Sequence, residues 1–470
     1  MRATIETKSR MNPRDNYRLI LFPHPFQGHM NSMLQLGRIL YARGFSITII
    51  HTNFNAPDPS SHPHFAFRSI ADGIDQSEAS TPDVRGLLAL LDVRCAAPFE
   101  ECVREMVSPR GGGGGGGGGD AAPIACLISD SMFSFTSSVA QRLKVRALVM
   151  RTGGAAFLYV ATIFPVLKEK GYVPVLGSQS EEPVKEFPPL LVKDIPAVDP
   201  QKPEVMFRIL DNLIAVIKSS SGVIINTFEG LEHSDLASLQ EALSVPFFPI
   251  GPSHRFHVAS SSTSSLAEDR SCISWLDKQP PKSVIYVSFG SLAAMSEAEI
   301  LEIALGLADS EQPFLWVVRP GSVRDPKWLE KSPSRFLEAL EGRGKIVKWA
   351  PQKEVLAHPA VAAFWTHSGW NSTLESISEG VPMLCMPRFA DQGVNARYVS
   401  GVWRIGVHLN GGLERENIAR AIKRLLVERE GEEIRERALV LKEKASASVR
   451  QGGPSYQALD ALVSHILSFK

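Results

Sequence analysis

Residues 360–387 read AVAAFWTHSGWNSTLESISEGVPMLCMP. The run AVAAFW is short and apolar without interruption, the pattern of a strand buried on both faces. From Asn371 to Glu379 the apolar residues Leu374 and Ile377 fall three apart, which is the spacing of one helix face. Gly380 stops that helix, and VPMLCMP begins another strand. The stretch is therefore a β-α-β unit, and THSGWN is its strand-to-helix turn. A helix start carries unpaired N–H groups and about half a positive charge, which makes it a seat for phosphate. His367, Asn371 and Ser372 bring side-chain donors to the same place. A purely structural alternative stands beside this one. Ser372-x-x-Glu375 has the spacing of a capping box, whose side chains only satisfy the helix end.

The same alternation extends in both directions. The first half holds the strands RLILFP (18–23), FSITIIHT (45–52), PIACLISD (123–130), KVRALVM (144–150) and GVIINTF (222–228). A helix from His29 follows the first of them, with Met33, Leu36, Ile39 and Leu40 on one face and Gly44 at its end. The second half repeats the pattern with SVIYVSFG (283–290), a helix from Glu297 to Leu307, PFLWVVRP (313–320), KIVKW (345–349) and RIGVHL (404–409). Strands alternating with helices predict parallel sheets covered on both faces. A polar, Ser-rich segment at 252–270 reads as a linker, so the pattern alone predicts an α/β protein of two domains. Ligands of such sheets bind at the carboxyl ends of the strands. The glycine run Gly111–Gly119 precedes a strand, not a helix start; it reads as a surface loop without a phosphate-binding role.

Bulk properties narrow the function. The 470 residues exceed one ordinary core. Hydrophobic content of 44% and charged content of 21% are those of a globular protein, and a net charge of +0 offers no basic face for nucleic acid. The first residues are polar and lack the apolar core of a signal peptide, and no apolar run approaches the ~18 residues of a membrane span. The 5 cysteines are scattered with no C-x-x-C pair, so neither a zinc site nor a disulfide framework is expected. A cytoplasmic protein is the expectation.

Several polar residues fall at strand ends: His29, Asp130, Ser291, Trp349, Gln352, Asp391 and Gln392. At a helix start the dipole disfavours the imidazolium, and a neutral imidazole is what a general base needs. Asp130 could hold the other ring nitrogen of His29, the orienting logic of a triad without its serine; the alternative is that each residue caps its own element. No two aspartates stand two apart, so there is no Asp-x-Asp to hold a divalent ion, and His62 and His64 read as surface residues of a polar loop. HPFQGHMN after the first strand does not supply the G-x-G-x-x-G of a dinucleotide oxidoreductase.

Residues 349–392, WAPQKEVLAHPAVAAFWTHSGWNSTLESISEGVPMLCMPRFADQ, closely resemble the sugar-nucleotide signature of plant family 1 UDP-glycosyltransferases. The similarity covers nearly the whole chain, through the QGH start, KSVIYVSFGS, PFLWVVRP and the ending QGGPSYQALDALVSHIL. HTNFNAPDPSSHPHF resembles the subgroup that includes cytokinin, benzoxazinoid and steviol-glycoside glucosyltransferases. The resemblance implies a GT-B fold of two facing Rossmann-like domains with parallel sheets. Residues 1–251 would bind the acceptor and 271–454 the UDP-sugar, with the helix at 455–470 crossing back to the first domain. It implies that Trp349 stacks on uracil, that Ala350 and Gln352 meet its edge, and that Glu375 holds the ribose. Ser291, His367, Asn371 and Ser372 would hold the diphosphate. Thr152, Trp370, Asp391 and Gln392 would face the sugar. His29 would be the base and Asp130 its partner. Phe26, Gly153, Leu191 and Phe389 are candidates for the acceptor pocket. The sequence departs from the family at Ala362-Ala363, where glycines are usual, at the bulky Trp365, and at Ser368. Gln392 resembles the residue of glucose users. The expected activity is an inverting, metal-independent glucosyl transfer from UDP-glucose to a hydroxyl, or a nitrogen, of a small apolar molecule. A monomer with no cofactor is expected. A non-catalytic UDP-sugar-binding regulatory protein is the alternative.

Overall fold

The computed structural model describes residues 17–469 apart from 80–82, 109–121, 176, 257–266, 292–294, 324–327, 330–331 and 410. The Gly111–Gly119 run and the middle of the 252–270 segment thus lie outside the described residues.

Among the described residues, thirteen strands form two wholly parallel sheets. In the first half these are β1 (Arg18–Phe22), β2 (Ser46–Thr52), β3 (Phe65–Ile70), β4 (Ile124–Asp130), β5 (Ala147–Arg151), β6 (Val223–Ile225) and β7 (Phe247–Pro249). In the second half they are β8 (Val284–Ser288), β9 (Phe314–Val317), β10 (Gly344–Val347), β11 (Val361–Thr366), β12 (Met383–Cys385) and β13 (Gly406–His408). The 7-stranded order is β3-β2-β1-β4-β5-β6-β7, and the 6-stranded order is β10-β9-β8-β11-β12-β13. Winding therefore reverses between β1 and β4 in one sheet and between β8 and β11 in the other. Such reversals open a crevice at the carboxyl ends of the strands, where ligands bind.

Burial explains the strands. Every residue of β1, β8 and β11 is buried, as helices on both faces require. The Gln27–Ala42 helix sets Met33, Leu36, Ile39 and Leu40 into the core shared with Leu19 and Leu21 of β1. The last helix, Pro454–Leu467, adds Leu459, Leu462, Val463 and Ile466 to that same core, and Ser455 Oγ donates to the Gly251 carbonyl at 2.6 Å. The second sheet matches the strands read from the sequence. The first contains two that pattern reading passes over, β3 and β7, and both are its edges. Neither carries a long apolar run: β3 is mostly half-exposed and β7 has 3 residues.

The two halves are joined along a seam of side chains. Arg397 Nε donates to Asp194 Oδ2 at 2.6 Å, Tyr398 Oη to Asp235 Oδ1 at 2.6 Å, and Trp370 Nε1 to the Asn226 carbonyl at 2.7 Å. Beside the seam, Gly154 is the N-cap of the Ala155–Glu169 helix and has no side chain to cap it. A Cβ there would lie 2.8 Å from the Trp370 ring. Glu232 does the capping from a kink in another helix, accepting the Ala155 and Ala156 N–H groups at 2.9 Å each. Burial pushes the Glu232 carboxyl up to about 7, against these two N–H groups and the Thr227 hydroxyl, which favour the anion. Because the folded value is raised, the stability it confers is complete below the ordinary carboxyl range and is lost as pH rises through about 7. Glu232→Gln is therefore expected to flatten the fall of Tm between acidic and mildly alkaline pH, read by thermal scans; parallel profiles for the two proteins would contradict this.

Candidate active site

Both crevices open into one cleft of about 670 Å³. On the first sheet's side, the chain leaves β1 through a buried loop, and Phe26 is the N-cap of the Gln27–Ala42 helix. His29 is the third residue of that helix. Its Nδ1 lies 2.7 Å from Asp130 Oδ2, at the last residue of β4, and 3.2 Å from Thr152 Oγ1, just after β5. A carboxylate can only accept, so Nδ1 carries the proton and Nε2 of the neutral ring keeps its lone pair. Asp130 is fully buried, which pushes its carboxyl upward. The electrostatic pull and hydrogen bond of His29, with His24 and the Met132 N–H, together outweigh burial and hold it below the usual carboxylate range.

On the other side, β11 ends at Thr366 and His367 follows. Gly369 is the N-cap of the Trp370–Glu379 helix and makes no side-chain cap. Ser372 and Glu375 are inside that helix, so the capping-box alternative is overturned: both accept from Gln352 Nε2, at 2.9 and 2.7 Å. Tyr286 Oη in turn donates to Gln352 Oε1 at 3.2 Å. Burial raises the Glu375 carboxyl, with Gln352 opposing. The His367 ring is held between glycines. A Cβ on Gly290 would lie 2.6 Å from its Cε1, and one on Gly369 would lie 2.4 Å from its Nε2. Burial lowers the ring's pKa to about 4, and Nδ1 is buried without a partner. A neutral ring with one unused nitrogen can donate to an incoming anion, whose charge would in turn raise that pKa.

The remaining expected residues fall into distinct places. Ser291, Trp349, Ala350, Trp370, Asn371, Asp391, Gln392, Phe26 and Phe389 all line the cleft. Gln392 Oε1 accepts from the Arg388 and Phe389 N–H groups at 2.8 and 3.2 Å, which fixes the loop carrying Phe389. Asp391 Oδ2 accepts from Asn395 Nδ2 at 3.1 Å; burial raises its carboxyl, with Arg151 opposing. Gly153 is not at the cleft surface. The Arg151 guanidinium lies against it, and a Cβ would sit 2.7 Å from Nη2, so this position has no room for a side chain. Leu191 is also placed elsewhere, in a separate cavity with Lys193, Arg397, Arg404 and Arg437. It sits on the short turn carrying Asp194, which the ion pair with Arg397 draws to the seam.

Sequence reading passes over several residues that line the cleft or lie buried behind it. Asn226 follows β6, and Glu268 and Arg270 come from the segment read as a plain linker. Arg151 is buried over the Phe157 ring at 5.2 Å and faces Asp391 and Asp130 electrostatically. His24 is buried with both ring nitrogens unpartnered, 5.5 Å from the His29 ring, and burial lowers its pKa to about 3. A strand-end position was the available signal for Asn226 and Arg151; nothing in the local pattern marks His24.

Two parallel sheets whose switch points meet across one cleft define the GT-B class of glycosyltransferases. A sequence model described as UDP-glucoronosyl and UDP-glucosyl transferase matches residues 120–441. The chain is 47% identical over 462 residues to UDP-glycosyltransferase 76C1 of Arabidopsis thaliana, covering 97% of this chain and 98% of that one. It is 46% identical over 468 residues to UDP-glycosyltransferase 76G1 of Stevia rebaudiana, covering 99% and 100%. The structure of Phytolacca americana UGT2 complexed with UDP-2fluoro-glucose and pterostilbene superposes with a TM-score of 0.77 at 26% identity, over 96% of this chain and 99% of that one. The chain belongs to the UDP-glycosyltransferase family, and it is an enzyme that transfers a glycosyl group from a UDP-sugar to an acceptor. Among the described residues no helix is long and apolar enough to cross a membrane.

Gly290 has φ +75°, and only its missing Cβ leaves room for the His367 ring. Gly290→Ala is expected to weaken UDP binding about tenfold, the loss of one hydrogen bond to a charged group. Calorimetric titration with UDP measures it, and an unchanged affinity would show that the ring is not needed there.

Proposed function

We propose that this enzyme transfers glucose from UDP-glucose to a hydroxyl of a small apolar molecule, with inversion at the anomeric carbon and without a metal ion. The observation that carries the reading is the His29–Asp130 pair on one wall of the cleft, opposite the helix start and His367 on the other. The acceptor O–H proton passes to His29 Nε2 as its oxygen forms a bond to the anomeric carbon. The bond from that carbon to the diphosphate breaks, and UDP leaves with the electron pair. Base and leaving group on opposite walls favour attack from the face opposite UDP, hence inversion. Asp130 steadies the imidazolium that forms.

In this reading Trp349 stacks on uracil, Ala350 and Gln352 meet its edge, and Glu375 binds the ribose. The backbone N–H groups of the helix start, that of Asn371 among them, receive the diphosphate together with Ser291, His367 and Ser372. Those donors would offset the growing charge in the manner of an oxyanion hole. Thr152, Trp370, Asp391 and Gln392 face the sugar. Phe26 and Phe389 supply the apolar surface for the acceptor, and the pterostilbene bound by the Phytolacca relative supports an apolar ring compound as its class. The domains would divide at 1–251 and 271–454, with 252–270 between them and 455–470 returning to the first; a cytosolic monomer completes the proposal.

Two experiments test it. Purified protein with UDP-glucose, EDTA and a panel of phenols and alcohols should give products heavier by one hexose in mass spectrometry; products that vanish with EDTA and return with a divalent ion would overturn metal independence. His29→Ala should lower turnover at least ~10²-fold, the scale of general-base catalysis, with UDP affinity kept. Near-normal turnover of an alcohol by that variant would remove His29 from the role.

A further inference from the structure

We infer that Ser32 is a positioning residue for the transfer, acting through Asn371 as an interdomain clasp between the donor helix and the helix that carries His29. The inference rests on the proposed function and goes beyond it by assigning work to a residue outside the substrate-contacting set.

Asn371 is the second residue of the Trp370–Glu379 helix, whose start faces the donor site. Its side chain reaches across the cleft. Nδ2 donates to the Gly28 carbonyl at 2.9 Å, and Oδ1 lies 3.2 Å from Ser32 Oγ. Asn371 Oδ1 can only accept, so the Ser32 hydroxyl is the donor. Its one proton is shared between Asn371 Oδ1 and the Gly28 carbonyl, 2.9 Å away. Both ends of the Asn371 amide are thus committed to the Gln27–Ala42 helix. Gly28 permits the close approach, since a Cβ there would stand 3.3 Å from Asn371 Nδ2. The residue after Gly28 is His29.

The consequence is geometric. Attack requires the acceptor oxygen, held by His29, to meet an anomeric carbon held on the other sheet. Reactions between positioned groups lose rate steeply with misplacement, about 10²-fold for 1 Å. Trp370 bonds to Asn226 on β6's end, and the clasp bonds one residue further on to the base-bearing helix itself. The Asn371 side chain therefore serves alignment, while its backbone N–H remains for the diphosphate.

Ser32 lies inside a helix, where alanine is at least as good a helix former, so Ser32→Ala should fold normally. Its kcat is expected to fall roughly tenfold with Tm and calorimetric UDP affinity unchanged, and Ser32→Thr should recover most of the loss. Asn371→Ala should lose at least as much turnover as Ser32→Ala, and the double variant should be no worse than Asn371→Ala alone. A Ser32→Ala enzyme within twofold of the parent, or one that loses UDP affinity in step with kcat, would overturn the assignment. A readout independent of turnover is amide hydrogen exchange. UDP should slow exchange at the start of the Gln27–Ala42 helix in the parent protein and not in Ser32→Ala; equal protection in both would sink the clasp. If the parent binds UDP with that protection yet transfers nothing, the proposed function fails and the clasp stands.

Discussion

The chemistry of this protein is divided between two sheets, and everything else follows from having to hold the two parts together. The His29–Asp130 pair stands at the switch point of one sheet, and His367 with the start of the Trp370–Glu379 helix stands at that of the other. Neither crevice is a site alone. The indole N–H of Trp370, bonded to the Asn226 carbonyl, ties the second wall of the cleft to the opposite sheet. That bond explains why Gly154 is bare, since the indole fills the space a side chain would need. It also explains why Glu232 must cap a helix from a distance. A bare glycine, a carboxyl that caps from another helix and the cross-cleft indole thus share one small volume.

Electrostatics follow a similar division. The first wall gathers Asp130, Arg151 and, from across the cleft, Asp391, so that a buried cation sits between two carboxylates with opposite tendencies. Asp130 is drawn toward the anion by His29, whereas burial drives Asp391 toward its neutral form. At the centre of the second wall, burial holds His367 toward its neutral form, which offers one N–H donor. A diphosphate entering there meets dipoles already oriented, with little rearrangement left for the moment of bond breaking.

Much of this was legible in the chain because buried parallel strands write continuous apolar runs. The second sheet could be read strand by strand, and the residues after each strand pointed to the cleft by the switch-point rule alone. The first sheet lost its edges, β3 and β7, because edge strands are short or half-exposed and write no such run. Contacts between distant elements were out of reach of periodicity. Ser372 and Glu375 had the spacing of a cap, yet the bond from Gln352 decides their state. Leu191 and Gly153 are candidates for the acceptor pocket in the sequence reading, yet the structure keeps both off the cleft surface. An ion pair and a buried guanidinium, neither visible in local pattern, set them where they are. The 252–270 segment looked like spacer, but its far end delivers Glu268 and Arg270 to the cleft.

The final helix lends four apolar side chains to the core built on β1, the first strand of the chain. During synthesis, when domains mature as they emerge, this layout reverses the usual order of completion. The leading half must wait with one core face uncovered until the trailing residues leave the ribosome. The second sheet, whose strands are contiguous in the chain, can close before it. The wall that carries His29 is thereby completed after the wall that carries His367.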